Sequence, residues 1–334
     1  MKKFNVFTGI DVSKSTLDFC IIDAKANVLI QGKTKNNSHG IKLLLNHFKK
    51  LKVSLNEVLF SFENTGVYSM PLNIFLSERK CDFAEIPALE IKKSKGITRG
   101  KSDKTDAKDI ALYGLRNLDK ITLSSAPQIE ILQLKFLFAE REKVIEAIKT
   151  FDSTNEAEGF LPNSVFKIVN PINRKILAHL KKALKSIEEK INKIIEQNEK
   201  LKQQKALLKT IPGIGDVTAL YFLLATKGFS VFKDWRKFAC YSGIAPFEYS
   251  SGSSVRARTK VNHFADKKIK SLLHLVALNA IKYDAELKEY YQRKRDEGKH
   301  TLLVLNNIKC KIVSRAFAVI SRESPFVNTY KFAS

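Results

Sequence analysis

Carboxylates occur at two places in the sequence where a buried strand is expected. Asp11 lies inside the apolar segment GIDV, and Glu63 ends the apolar run LFSF. A carboxylate in such a place needs a cation or a hydrogen-bond network, and two on neighbouring strands repel each other unless a metal ion lies between them. The pattern therefore indicates a metal-binding or catalytic acidic site.

The segment KSDKTDAKD adds two more carboxylates, Asp103 and Asp106, which are three residues apart. A helix places such a pair on one face. If these two converge with Asp11 and Glu63, the four carboxylates would form an all-oxygen site. That donor set suits Mg²⁺, and two such ions can activate a nucleophile and stabilise a leaving oxygen. Asp109, three residues after Asp106, is a further candidate.

Other interpretations of these acidic residues stay open. Asp11 and Asp103 could have a purely structural role as turn caps. Asp18 and Asp23 fit a solvated strand or turn better than a metal site. The segment GIDVSKSTLDF is also similar to the first strands of actin-like sugar kinases and chaperone ATPases. The later Asp-Gly phosphate loop and the Gly-rich adenosine segment of that class are not found in the sequence.

A second cluster combines hydroxyl groups with cations. A serine near a phosphate, with arginines to hold the transition-state charge, could attack a phosphodiester and form a phosphoserine linkage. A solvated Ser/Gly linker has a similar composition. The cluster consists of Ser250, Ser251, Ser253, Ser254, Arg256, Arg258 and Lys260. A tyrosine nucleophile remains a minor option, from Tyr241, Tyr249, Tyr290 or Tyr291.

The segment TIPGIG is typical of the turn in helix-hairpin-helix modules. There Gly213 and Gly215 would let backbone N–H groups face a phosphate at the start of the next helix, which positions nucleic acid without reading its sequence. An ordinary packing corner between two helices is the alternative, since glycine is common in turns.

The charge of the chain points to a polyanion. Its 334 residues carry 58 Lys and Arg against 34 Asp and Glu, a net charge of +24, while 44% hydrophobic residues exclude wholesale disorder. Nucleic acid is the expected partner, and a membrane surface is the rival. We expect a cytoplasmic chain without a signal peptide or membrane span, whose four dispersed cysteines are thiols rather than zinc ligands.

The order of elements predicts an α/β fold at the N-terminus. Three strands within residues 4–36, then alternating helices and strands, fit a ribonuclease H-like, or RuvC-like, domain. A helical region with a break near FLPNSVFKIVNP follows, and then a mostly helical domain with Gly-rich turns. The predicted domains are residues 1–125, 126–207 and 208–334.

The middle region carries a heptad-like seam. The apolar spacing alternates between four and three residues, which is typical of a coiled coil, and Asn198 falls on an a position that could fix register and oligomer state. We expect a self-associating coiled coil, with an intramolecular helical hairpin as the alternative. The seam is Leu180, Leu184, Ile187, Ile191, Ile194, Asn198 and Leu201.

Several motifs, in order and over nearly the whole chain, resemble the transposases of the bacterial insertion-sequence 110 family. They are GIDVSKSTLD, FENTGVYS, KSDKTDAKDIA, TIPGIG, YSGIAPFEYSSGSS and ALNAIKYDAELKEYYQRKRDEGKH. The resemblance implies a RuvC-like domain with a DEDD tetrad, a coiled coil and a transposase domain with a catalytic serine. By motif position the tetrad is Asp11, Glu63, Asp103 and Asp106, and the serine is Ser251, counted from Pro246 and adjacent to Ser250.

The resemblance also implies partners that the residues alone do not reveal. It implies a Mg²⁺-dependent recombinase guided by a structured noncoding RNA from its own element, which pairs with donor and target DNA. It further implies dimers that assemble into a tetramer on DNA, with the acidic site of one protomer facing the serine of another. A RuvC-like junction nuclease that uses metal-activated water, and a noncatalytic nucleic-acid-binding protein, are the competing hypotheses.

Overall fold

The chain folds into two compact units, Met1–Ala126 and Pro127–Ser334. The predicted further division at residue 208 falls inside the second unit and stays a prediction. The computed structural model describes residues 4–94, 103–126, 128–152, 160, 162–251, 255–261 and 265–328. Within these, the side chains of residues 93, 103, 104, 163, 165, 246–251 and 255–261 are not described.

A mixed five-stranded sheet forms the centre of the first unit. Its order is β3-β2-β1-β4-β5; β1 pairs antiparallel with β2 and parallel with β4, and β5 extends the parallel part. An α/β unit with this sheet is compatible with the predicted ribonuclease H-like domain. The strands are β1 Val6–Val12, β2 Thr16–Asp23, β3 Val28–Lys35, β4 Val58–Glu63 and β5 Asp82–Ile86.

Helices cover both faces of this sheet, because each strand alternates its side chains between two apolar cores. On one face, Ile10 and Phe60 pack with residues of α1 (Ser38–Lys50) and α2 (Met70–Glu78). On the other face, Phe7 and Leu59 pack with residues of α4 (Asp103–Arg116), and α3 (Ala88–Ser94) adds Ile91 beside the same helix. The face covered by α4 is the one that concerns the candidate site.

The second unit is mostly helical, as predicted, and one large apolar core joins its helices. One two-stranded hairpin interrupts the described helices, with β6 Pro246–Ser251 and β7 Val255–Val261. None of the described helices is both long and apolar enough to cross a membrane. The helices are α5 Ile129–Asp152, α6 Asn163–Gln197, α7 Glu199–Lys209, α8 Asp216–Thr226, α9 Trp235–Tyr241, α10 Lys267–Tyr283, α11 Ala285–Asp296 and α12 Thr301–Arg322.

The predicted coiled-coil seam packs within its own chain. Arg141 of α5 donates from Nε to Glu188 Oε1 of α6 at 2.9 Å, and Ile191 and Ile195 of α6 belong to the same core as Leu134 of α5. These contacts form the intramolecular hairpin that the sequence left as the alternative, and a self-associating coiled coil is not confirmed. The helix α6 begins within the predicted break and runs on through Pro171.

The expectation for Asn198 was wrong, because this residue does not lie inside a continuous helix. It ends α6 and begins α7, with extended backbone angles (φ −114°, ψ 101°). Its Oδ1 accepts a hydrogen bond from Leu201 N at 3.1 Å. Asparagine is among the preferred residues at a helix N-cap, so the local capping preference prevailed over the heptad pattern.

Candidate active site

Two of the predicted carboxylates lie at the same end of adjacent parallel strands. The register pairs Ile10 of β1 with Phe62 of β4, and Asp11 and Glu63 are the next residue on each strand. Neighbouring strands are about 4.8 Å apart, so the two residues are side by side. Both are half-buried.

The helix α4 brings Asp106 to the same face of the sheet. A Cβ added to Gly9 would lie 2.1 Å from the carbonyl oxygen of Ala107, so β1 and α4 are in backbone contact there. Gly9 and Asp11 share a face because side chains alternate along a strand. Asp106 is adjacent to Ala107 and half-buried.

The other acidic residues of α4 lie within one helical turn of Asp106. Asp103 is the first residue of α4, and its side chain lies outside the described residues. Asp109 is about 60° around the helix from Asp106, at 100° per residue, and is half-buried like Asp106. Asp109 therefore stays a candidate ligand.

A fourth carboxylate at the sheet is already ion-paired. Asp18 of β2 is the register partner of Asp11, and it is buried, with 7% of its surface exposed. Its Oδ2 lies 3.0 Å from Lys33 Nζ of β3. The expectation that Asp18 is solvated was therefore wrong. The expectation that Asp23 belongs to a turn fits the structure, since it accepts hydrogen bonds from Asn27 in the β2–β3 turn, which lower its pKa.

Asn36 ties together the loops that follow β1 and β4. Its Nδ2 donates to Ser13 O and to Tyr68 O, both at 2.8 Å. In these segments the oxygens Asn36 Oδ1 and Thr65 Oγ1 are buried, with no partner in the described part of the chain. Both oxygens can accept hydrogen bonds from the water ligands that a hydrated hard cation keeps.

The candidate metal site is described only in part. Among the side chains that the structure describes, no three His, Cys, Asp or Glu residues are grouped closely enough to hold a metal ion. That set does not include Asp103. The oxygen donors Asp11, Glu63 and Asp106 match the preference of Mg²⁺ in type.

The serine cluster lies on a β-hairpin rather than in an unstructured linker. In its register Ser250 is opposite Arg256 and Ser251 is opposite Val255, the last pair before the turn. Lys260 is opposite Phe247 nearer the base, and Arg258 lies between these positions on β7. The side chains of these residues, and residues 252–254 altogether, lie outside the described part.

The base of this hairpin is closed by one carboxylate and two phenols. Tyr221 and Tyr241 both donate to Asp266, at 2.8 Å and 2.9 Å to Oδ2. Oδ1 of Asp266 also caps α10 by accepting from Lys268 N at 2.9 Å. Burial, then the charge and hydrogen bond of Asp266, raise the pKa of Tyr241. A phenol held neutral in this way is a poor nucleophile, which argues against Tyr241 in that role.

Of the other tyrosines, Tyr290 accepts a hydrogen bond from Asn307 Nδ2 at 3.2 Å and lies beneath Lys311 Nζ, 4.8 Å from the ring centre. Tyr291 packs against the helical core. The side chain of Tyr249 is outside the described residues. In the described part of the chain, neither Tyr290 nor Tyr291 donates a hydrogen bond to a carboxylate that could serve as its general base.

The TIPGIG turn joins α7 to α8, as its motif predicted. A Cβ at Gly213, where φ is +91°, would lie 2.7 Å from Val276 O, so the turn packs against α10. Gly215 caps α8, and the first residue of that helix, Asp216, is ion-paired with Lys205 and Lys209 at 3.0 Å each. A carboxylate already occupies this helix start. The geometry favours the packing-corner alternative, and a phosphate contact by Gly213 and Gly215 stays a prediction.

Two family profiles match the chain, one over its N-terminal part and one over its C-terminal part. Residues 8–162 match a DEDD transposase profile of the IS110 type, and residues 205–292 match the profile described as transposase IS116/IS110/IS902 family. The chain belongs to this transposase family. Membership makes it an enzyme of DNA transposition and recombination.

Two of the relatives cover almost the full length of this transposase. The pilin gene-inverting protein of Moraxella bovis is 26% identical over 326 residues, which span 96% of this chain and 97% of that protein. The pilin gene-inverting protein of Moraxella lacunata is 25% identical over 96% and 97% of the two chains. An uncharacterized 43.6 kDa protein of insertion element IS110 from Streptomyces coelicolor is 25% identical over 51% of this chain and 41% of its own.

Three polar residues near the transposase sites were not found by sequence reasoning. Asp18 was set aside, and Asn36 and Asp266 were not considered. Asp18 lies between Leu17 and Phe19 in an apolar strand, which is the same signal that marked Asp11. Asn36 and Asp266 act on residues 23 and 25 positions away in the chain, so no local pattern shows their roles.

Proposed function

We propose that this transposase cuts and rejoins DNA strands to excise and insert its own insertion sequence, with an acidic Mg²⁺ site and a serine nucleophile. The observation that carries the proposal is the register of β1 and β4. It places Asp11 beside Glu63 under the helix that contains Asp103 and Asp106.

These four carboxylates would hold Mg²⁺, which when bound polarises a phosphodiester and stabilises the leaving oxygen. The protein's own contribution is to keep several negative charges together at the end of a rigid sheet. Asn36 supports this arrangement by fixing the loops that follow both strands. Several carboxylates at one end of the sheet form an all-oxygen donor set, which supports metal binding over a purely structural role.

For the serine step, Ser251 Oγ would attack the phosphorus of a DNA phosphodiester and lose its proton. One P–O bond to Oγ forms while one P–O bond to a deoxyribose oxygen breaks, and that oxygen leaves as a hydroxyl. The phosphoserine ester preserves the energy of the original linkage, so rejoining is the reverse attack by a DNA hydroxyl and needs no nucleotide cofactor. Arg256, Arg258 and Lys260 would stabilise the transition-state charge.

Nucleic-acid binding is supported by the net charge of +24. Each duplex phosphate that a cation neutralises lowers log K by about 0.9 per tenfold increase in salt. We expect affinity for the DNA of the element to fall steeply with salt. A nearly flat response would contradict this part of the proposal.

Two further features rest on the family resemblance alone. A structured noncoding RNA would guide the protein to donor and target DNA, and dimers would assemble into a tetramer in which acidic and serine sites come from different protomers. Purified protein with and without the element's RNA tests the first feature, since guided strand exchange requires the transcript. Mixing an Asp11→Asn chain with a Ser251→Ala chain tests the second, because complementary protomers would restore some composite sites.

The decisive experiment uses labelled element ends, the element RNA and Mg²⁺, followed by denaturing electrophoresis. A covalent protein–DNA adduct is expected with the natural protein and is lost in Ser251→Ala. Asp11→Asn removes one ligand charge with little change of shape, so it should abolish cleavage while DNA and RNA binding persist. An adduct lost in Ser250→Ala but kept in Ser251→Ala would move the nucleophile by one residue.

Inversion of a DNA segment is a second candidate activity, because the Moraxella relatives are named for pilin gene inversion and align over nearly the full chain. A substrate with two sites in opposite orientation distinguishes inversion from excision. Cleavage without any adduct, in the natural protein and in both serine variants, would instead support the junction nuclease. Binding without cleavage would support the noncatalytic protein.

A further inference from the structure

A buried lysine on α12 has no acidic partner in the described part of the chain. Lys309 is only 7% exposed, yet no carboxylate forms an ion pair with it there. Burying an ammonium group is costly unless it is paired or hydrogen-bonded, and lysines are seldom buried otherwise. The position therefore needs an explanation beyond the folding of the helix.

A second lysine, Lys270, further disfavours a positive charge on Lys309 when no anion is bound. Burial lowers the pKa of Lys309, and the positive charge of Lys270 on α10 lowers it further. Lys270 is half-buried and likewise has no carboxylate partner among the described residues. Two like charges at the α10–α12 interface repel each other, whereas an anion between them would relieve both the repulsion and the desolvation.

Three described carboxylates of the second unit have partners other than these two lysines. Asp266 accepts hydrogen bonds from Tyr221 and Tyr241, and Glu142 pairs with Lys268. Glu286 pairs with Arg315 and Lys311. None of these described acids forms an ion pair with Lys309 or Lys270.

Both lysines lie at the root of the serine hairpin. On the turn of α12 that contains Lys309, Asn306 Nδ2 donates to Ile244 O at 2.5 Å and Cys310 Sγ lies 3.7 Å from the same oxygen. Ile244 is two residues before β6. Lys270 is one helical turn after Asp266, which caps α10 where the chain returns from β7. The two cations thus flank the points where the chain enters and leaves the hairpin.

We infer that Lys309 and Lys270 form an anion site at the hairpin root that binds a DNA phosphate next to the one attacked by the serine. The inference deepens the proposed function and rests on it for the identity of the polyanion. The site would hold the DNA backbone against the base of the hairpin. It would therefore fix the strand with respect to the serine without reading its sequence.

The test compares Lys309→Met with Lys311→Met. Both changes remove one charge from α12, but Lys311 is paired with Glu286 and lies over Tyr290. For Lys309→Met we expect an unchanged or higher Tm, since a buried charge is replaced by an apolar chain. We also expect the slope of log K against log salt, measured on a labelled DNA duplex, to become shallower by about 0.9. Lys311→Met should leave that slope within error.

A lower Tm with an unchanged slope would show that Lys309 is only structural, and an equal slope change in Lys311→Met would show only the effect of net charge. A slope change on an RNA hairpin but not on the DNA duplex would also overturn the inference. Should Lys309→Met not fold, Lys270→Met at the half-buried position supplies the same measurement. These experiments measure binding and stability, so they are independent of the covalent-adduct assay. Absence of the adduct would refute the serine mechanism and not the anion site.

Discussion

Gly9 of β1 lies directly against the backbone of Ala107 in α4. A Cβ at residue 9 would be 2.1 Å from the Ala107 carbonyl oxygen and 2.2 Å from Ala111 N, and neither is an atom that a side-chain rotation can move. The absence of a side chain at residue 9 therefore allows the helix that contains Asp106 to rest on the strand that contains Asp11.

Gly9→Ala should displace α4 and separate the carboxylates. We expect a loss of unfolding free energy of about 1–3 kcal/mol from overpacking, together with loss of Mg²⁺-dependent cleavage. Gly114→Ala is the matched control on the same interface. Its added Cβ would meet mainly the Ser61 hydroxyl at 2.6 Å, a group that can rotate away. Equal effects of the two changes in thermal denaturation would contradict the backbone contact.

Asp18→Asn distinguishes the ion-paired carboxylate from the proposed ligands. Asp18 already pairs with Lys33 at 3.0 Å, so its charge is compensated within the sheet. We expect Mg²⁺-dependent cleavage to persist in this variant, within severalfold of the natural protein, whereas Asp11→Asn abolishes it. A complete loss of cleavage in a folded Asp18→Asn protein would place Asp18 among the ligands.

Asn36→Ala should weaken metal activation rather than nucleic-acid binding. The change removes two hydrogen bonds of 2.8 Å that join the loops after β1 and β4. We expect a stability loss of about 1–3 kcal/mol and a rise in the Mg²⁺ concentration needed for half-maximal cleavage. Asn36→Asp, which keeps the size but not the donor, should behave in the same way. An unchanged Mg²⁺ dependence would leave Asn36 with a structural role only.

Asn198→Leu should affect stability and not association. The side chain caps α7 through Leu201 N, and loss of an N-cap costs about 1 kcal/mol. Asn198→Asp preserves a capping oxygen and should remain near the stability of the natural protein. Denaturation and molar mass in solution are the measurements. A changed molar mass in Asn198→Leu would revive the self-associating coiled coil.

The Asp266 cluster predicts stability that is lost in alkali. Burial first, and then Asp266, raise the pKa of Tyr221 and burial does the same at Tyr241, so both phenols are held protonated in the fold. A raised folded pKa gives stability that is complete below the unfolded value of about 10 and declines as the pH rises above it. In Tyr241→Phe, that alkaline decline should be shallower than in the natural protein. An identical profile in chemical denaturation from neutral pH to alkali would refute this coupling.

The sequence predicted best those strands and helices that bury one face against a single apolar core. Apolar runs predicted the strands that carry Asp11 and Glu63, and the three-residue spacing of Asp103 and Asp106 indicated a helix there. The mostly helical second unit was also predicted. In each case burial against one face is enough to select the element.

The remaining features depend on contacts between distant residues. The hairpin at the serines was missed because its Gly- and Ser-rich composition also fits a linker. Asn198 was misjudged because a heptad seam and an N-cap compete at the same residue. The ion pair between Asp18 and Lys33 follows from the register of β2 and β3, which no single strand reveals.

The alternation of side chains in β4 also restricts which insertions and deletions this strand can accept during evolution. Deleting one residue between Val58 and Glu63 would turn Glu63 to the face covered by α1 and α2, because a one-residue slip exchanges the two faces of a strand. Deleting two residues would shorten the strand but return Glu63 to the side of Asp11. A change in the length of this strand should therefore be accepted when it involves an even number of residues. A homologue with an odd change there would need a β-bulge to retain its acidic site.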